Sequence, residues 1–159
     1  MNAIPAKIHH ILLLAQHLRE DERAQFEAVD GEEYDAELSA QALITMPGPK
    51  FAYEDEGQVY AVGGFHEVAR GVGQTWMMTC DEAWDSPRRA VSLTREVRRI
   101  MGNALLRGGF HRLQTQCLVD RTAAREWYEK KLGLTFEGIA RGFCQNGADM
   151  ATYSMIPRD

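Results

Sequence analysis

Long apolar runs, basic blocks and paired cysteines are all missing from this sequence. The longest apolar run near the N-terminus is Ile11–Ala15, too short to span a bilayer, and no signal-peptide cleavage pattern follows it. A cytoplasmic chain without membrane contact is expected. No Lys/Arg block or basic tail accompanies the net charge of −5, which argues against a nucleic-acid partner. Cys80, Cys117 and Cys144 lie far apart in apolar surroundings and form no C-x-x-C pair. They read as buried free thiols, so neither a zinc site nor a disulfide framework is expected. His66 and His111 have no partner at metal spacing, and no metal is expected. Glycine is absent between Gly73 and Gly102, a gap that matters below.

What is present suits one compact domain over residues 1–159, with 45% hydrophobic and 26% charged residues and no repeat or low-complexity linker. Ile8, Ile11, Leu12, Ala15 and Leu18 recur at helical spacing, which predicts a helix over 5–19. The charged run 19–31 follows, with Phe26 and Val29 as a short apolar side and Gly31 as its stop. A further helix is expected over 35–45, ended by the prolines of 46–50. Strands then dominate, with turns at 54–57 and 70–73, so 50–80 reads as an antiparallel meander.

Ser86-Pro87 is a helix entry, with a capping side chain before proline at the first helical position. Ala90, Leu93, Val97, Ile100, Met101, Ala104 and Leu105 form one apolar face, and Gly108-Gly109 ends the helix. Residues 111–119 alternate as a strand, and a helix between strands implies a right-handed crossover with a parallel pairing nearby. A second helix starts at Asp120 or Thr122 and runs to Leu132, stopped by Gly133. Two last strands, in 134–144 and 148–156, are joined through Asn146-Gly147. Together these elements make an α+β fold with a mixed, mostly antiparallel central sheet flanked by helices.

That order, together with Tyr128-Glu129-Lys130 and Leu132-Gly133-Leu134, resembles the GNAT superfamily of N-acetyltransferases. Asp120 stands at the family's strand-end Asn and Ala123 at its small residue. Residues 14–31, 73–80 and the last strands also look like GNAT-like proteins carried by phages, some of them internal virion proteins. The resemblance implies acetyl-CoA as substrate and an amine as acceptor. It implies that the backbone of Met78, Thr79 and Cys80 pairs with the pantetheine arm. Arg88, Arg89 and Ser92 would meet the pyrophosphate, while Asp120 and Ala123 line the slot. Tyr128 would protonate the departing thiolate, and Glu67, or Asp81 or Glu82, would serve as base. Trp76 and Trp84 are candidates to line an acceptor pocket or to fill the core.

Two departures from the family pattern stand out. The phosphate turn that should open the long helix has no glycine, and Pro87 removes a backbone donor there. Four residues, not three, separate Tyr128 from Gly133, because Lys130 and Lys131 are doubled. One residue is about 100° of helical rotation, so Trp127 and Tyr128 compete for the cofactor-facing position. Two functions follow. One is an acyl-CoA-dependent N-acyltransferase, phage-encoded, acting in the host cytoplasm and possible as a homodimer. The other is an inactive GNAT-fold protein serving as a virion component or a host-interaction module.

Overall fold

The computed structural model describes residues 1–157. Seven strands share one sheet, in the order β1-β2-β3-β4-β5-β7-β6. They are β1 (Asn2–Pro5), β2 (Lys50–Asp55), β3 (Gln58–Ala69), β4 (Val72–Thr79), β5 (Arg112–Leu118), β6 (Thr135–Ala140) and β7 (Met150–Met155). Every pairing is antiparallel except β4 with β5, which is parallel. The mixed, mostly antiparallel sheet flanked by helices is therefore the architecture expected from the sequence.

The N-terminal region departs from expectation. The helix expected over 5–19 forms as the shorter α1 (Ile8–Gln16), and an unexpected strand, β1, precedes it. β1 pairs with β2, and the terminal amine meets Asp55 at 3.3 Å. Four residues carry too little periodicity to announce a strand, and its existence depends on that distant partner. The charged run forms α2 (Glu20–Asp30), closed by Gly31 at φ 74°. Asp35 caps α3 (Ala36–Thr45), accepting from the Leu38 N–H at 2.9 Å.

The crossover helix α4 (Pro87–Arg107) follows its sequence closely. Ser86 caps it, Pro87 occupies the first turn, and Leu93, Val97, Ile100, Met101 and Ala104 are buried. Each large side chain in that face contributes about 1.5–3 kcal/mol on burial. Two tryptophans, Trp84 and Trp127, meet edge-on beside it, with ring centroids 5.4 Å apart. The loop between β6 and β7 spans 141–149, longer than a tight hairpin, and the Asn146-Gly147 turn is only its last part. Cys80, Cys117 and Cys144 are buried free thiols, and no group of metal-ligating side chains occurs among the described residues. Nor is any helix among them long and apolar enough to cross a membrane.

Candidate functional site

The site begins where the parallel pair fails. β4 and β5 are bonded only from Val72–Gln74 to Arg112–Gln114. Beyond that point β4 continues to Thr79 and β5 to Leu118 without pairing to each other. A wedge opens between their C-terminal ends, and backbone groups facing it need other partners. A cavity of about 920 Å³ lies at this wedge and runs between α4 and the helical segment after β5.

Helix α2 closes one side of the wedge. The Thr79 N–H donates to Glu22 Oε2 at 2.8 Å, and the Thr79 hydroxyl donates to Glu22 Oε1 at 2.6 Å. The Trp84 indole N–H donates to the same hydroxyl at 2.9 Å. The Thr79 carbonyl accepts from the Arg19 N–H at 3.3 Å. On the β5 side, Gln25 accepts from the Leu118 N–H at 3.2 Å and from Arg121 at 2.8 Å. Arg121 also pairs with Asp21 at 2.9 Å and lies 3.8 Å from Glu22. One turn of α2 thus bridges the two parted strands.

Glu22 is the most perturbed acid here. Burial pushes its carboxyl up to about 7, against the opposing pull of the Thr79 hydrogen bonds and Arg121. A carboxyl poised near neutrality at the wall of a cavity is suited to exchanging protons at physiological pH.

The helix after β5 explains the doubled lysine. α5 (Thr122–Glu126) passes into a π-helical turn, Trp127–Leu132, which absorbs the extra residue. Gly133 ends it at φ 76°, and the Leu134 N–H returns to the Tyr128 carbonyl at 2.9 Å. Trp127 and Tyr128 both line the cavity but do different work. The Trp127 indole is tied to α4, donating to the Thr94 hydroxyl at 2.9 Å. The Tyr128 ring packs against Tyr153, centroids 5.4 Å apart. Burial, then the neighbouring Cys117, push its phenol well above the usual tyrosine range, with Arg121 and the Thr115 hydroxyl acting the other way. It therefore stays protonated at neutral pH.

The other expected site residues are dispersed. Ala123 lines the cavity with Tyr128. Asp120 is exposed beside a smaller hollow with Gly147 and Asp149, because the chain turns at Arg121 before α5 begins. Thr79 is held by Glu22, Trp84 and the Arg19 N–H and does not itself line the cavity. Met78 is buried in the core, and Cys80 returns its N–H to the Tyr60 carbonyl at 3.2 Å. The β4 residues lining the cavity are instead Thr75, Trp76 and Met77, three positions earlier on the strand. Glu67 accepts from the Gly71 N–H at 2.6 Å and braces the β3–β4 turn, at the opposite end of β4 from the wedge. Glu82 sits on an exposed 3₁₀ turn (Asp81–Ala83), its carbonyl taking Arg89 at 2.8 Å. Arg89 stacks on Tyr60 at 4.5 Å, Arg88 is exposed, and neither they nor Ser92 line the cavity. The groups that sequence reasoning missed are Glu22 and Arg121. A signal for Glu22 existed: it precedes Phe26 by four residues, placing it on the apolar side of α2.

A sheet parted at one parallel pair, with a crossover helix and a second helix flanking the gap, is the GNAT acetyltransferase fold. No family model matches the chain, and no curated protein resembles it in sequence. Solved structures do. A ribosomal-protein-alanine N-acetyltransferase from Brucella melitensis superposes with a TM-score of 0.73 at 15% identity, over 99% of this chain and 100% of that one. A spermidine N-acetyltransferase variant from Vibrio cholerae gives 0.71 at 14%, over 98% and 95%. RimL, an acetyltransferase solved in complex with coenzyme A, gives 0.71 at 14%, over 97% and 92%. At these identities the likeness is one of fold.

Proposed function

We propose that the chain is an acyl-CoA-dependent N-acyltransferase that moves an acetyl group from acetyl-CoA to an amine. The observation that carries this is the pairing of Glu22, held near neutrality, with Tyr128, held protonated, on one cavity at the parted strands. In the proposed step the Glu22 carboxylate takes a proton from the acceptor ammonium. The freed nitrogen attacks the thioester carbonyl carbon, and the carbon–sulfur bond breaks. The thiolate takes the Tyr128 proton, the new amide nitrogen sheds its second proton to the phenolate through solvent, and Glu22 releases its proton to water. The pantetheine arm runs beside Thr75–Met77, and Ala123 leaves room for it. Three of the neighbours in fold act on amines or bind coenzyme A by name, which supports this chemistry without choosing the acceptor.

Thermal unfolding with and without acetyl-CoA tests the proposal. Ligand at about 100 times its dissociation constant adds roughly 2.7 kcal/mol of stability. No shift at millimolar acetyl-CoA would defeat it.

One observation favours the second reading, an inactive GNAT-fold protein of a phage virion or of a host contact. The Thr79 backbone is already occupied by α2, and side chains stand where the family has phosphate-turn glycines. That reading requires no response to acetyl-CoA, and its virion form requires co-purification with phage particles.

A further inference from the structure

The first turn of α4 is poorly suited to phosphate. Pro87 lacks a donor, the Ser86 hydroxyl takes the Arg89 N–H at 3.5 Å, and Val91 presents an exposed isopropyl group. Arg89 is turned away onto Glu82 and Tyr60. Yet α4 carries six arginines against one glutamate, in a chain of net charge −5. Two of them, Arg95 and Arg98, line the cavity on successive turns. Opposite, the π turn brings Lys130 and Lys131 to the same cavity. Lys130 is engaged by Glu126 at 2.6 Å, the one acid on that rim. Among the described residues Arg95, Arg98 and Lys131 have no ion-pair or hydrogen-bond partner (the salt bridges of α4 fall on Arg99 and Glu96).

Three unpaired cations facing one groove across two helices have the chemistry of a polyanion clamp. We propose that Arg95, Arg98 and Lys131 hold the phosphates of a CoA-type ligand in the groove between α4 and the π turn, in place of the helix N-terminus. The doubled lysine is then part of the binding site: the extra residue both makes the π turn and sets a second lysine on the groove. This deepens the acyltransferase proposal and rests on it for the identity of the ligand. The shared chemistry is a nucleotide carrying several phosphates, whether as CoA or as a free nucleotide.

Calorimetric titration distinguishes the cases, using acetyl-CoA, dephospho-CoA and adenosine 3′,5′-bisphosphate on wild type, R95Q/R98Q, K131Q and R88Q/R89Q. Melting temperature and circular dichroism of each variant establish that it is folded. Losing two charge-assisted contacts weakens acetyl-CoA by roughly 10–100-fold in R95Q/R98Q and by less in K131Q. Added salt weakens wild type more steeply than R95Q/R98Q. R88Q/R89Q keeps wild-type affinity. The clamp is overturned if R88Q/R89Q carries the loss, or if folded R95Q/R98Q binds acetyl-CoA like wild type; in both cases the acyltransferase proposal survives. Should wild type bind the bisphosphate but not acetyl-CoA, with the loss in R95Q/R98Q, the clamp stands and the acyltransferase proposal falls. Binding of neither ligand overturns the clamp.

Discussion

The cavity has two unlike walls. On the α2 side, Glu22, Thr79, Trp84 and Arg121 are packed and cross-bonded, and the acid at the centre is held near neutrality by burial. On the side of α4 and the π turn, Arg95, Arg98 and Lys131 stand in a solvated groove. A buried polar group is worth much only while its partners are in place, whereas exposed cations work through net charge and tolerate movement. Proton transfer belongs to Glu22 on the first wall and to Tyr128, the buried phenol at the start of the π turn, and ligand charge to the exposed cations of the second. Substitutions on the first should therefore change rate and pH dependence, and those on the second should change affinity and salt dependence.

The largest expected effect is on turnover. Replacing Glu22 by Gln should lower acetyl-CoA-dependent acetylation by about 10²–10⁴-fold while acetyl-CoA affinity changes little. A variant that loses affinity in proportion to rate would erase the contrast between the walls. Tyr128→Phe keeps the ring contacts and removes the proton, and should slow turnover by roughly 10–100-fold, again with affinity kept. Undiminished turnover would remove Tyr128 as the acid.

Stability should follow Glu22 as well. Its folded pKa of about 7 lies above the unfolded value of 4.5, so the folded chain holds a proton that the unfolded chain has lost. The resulting stability is fully present below pH 4.5, declines as pH rises toward 7, and is gone above it. The decline attributable to this group is on the order of 2–3 kcal/mol, and it should be missing from Glu22→Gln in urea titrations between pH 5 and 8. An unchanged slope would show that the carboxyl is not buried as described.

Deleting Lys131 sharpens the comparison from the other wall. Three residues then separate Tyr128 from Gly133, as in the family pattern, and an α-turn replaces the π turn that had absorbed the extra residue, so Tyr128 keeps its place. Acetyl-CoA affinity should fall with the lost cation, while turnover at saturating acetyl-CoA holds. The smallest effect is expected at Glu67. Glu67→Gln weakens the brace on Gly71 by about 1 kcal/mol and should leave affinity and rate alone.

The elements with local signatures were legible in the sequence. α4 has its Ser86-Pro87 entry, its apolar stripe and its Gly108 exit, and the strands of the meander alternate between turns. β1 was not legible, because Asn2–Pro5 becomes a strand only by pairing with residues some fifty positions away. The site was less legible than the fold for a related reason. Glu22 stands in a run of charge that reads as solvated, and its burial is imposed by Thr79, 57 residues on. Arg88 and Arg89 look like phosphate ligands from their place at a helix start, yet the fold aims the later arginines at the cavity. The extra residue before Gly133 was visible as an anomaly, but whether it rotated Tyr128 away depended on a π turn that no local pattern announces.

The most direct test of the account is the pH–rate profile for thiol release from acetyl-CoA with a panel of primary amines, in wild type and in Glu22→Gln. The wild-type rate should rise with pH through a midpoint near the folded value of about 7, and that limb should vanish from the variant. An identical limb in Glu22→Gln, or no amine-dependent release at any pH, would contradict it.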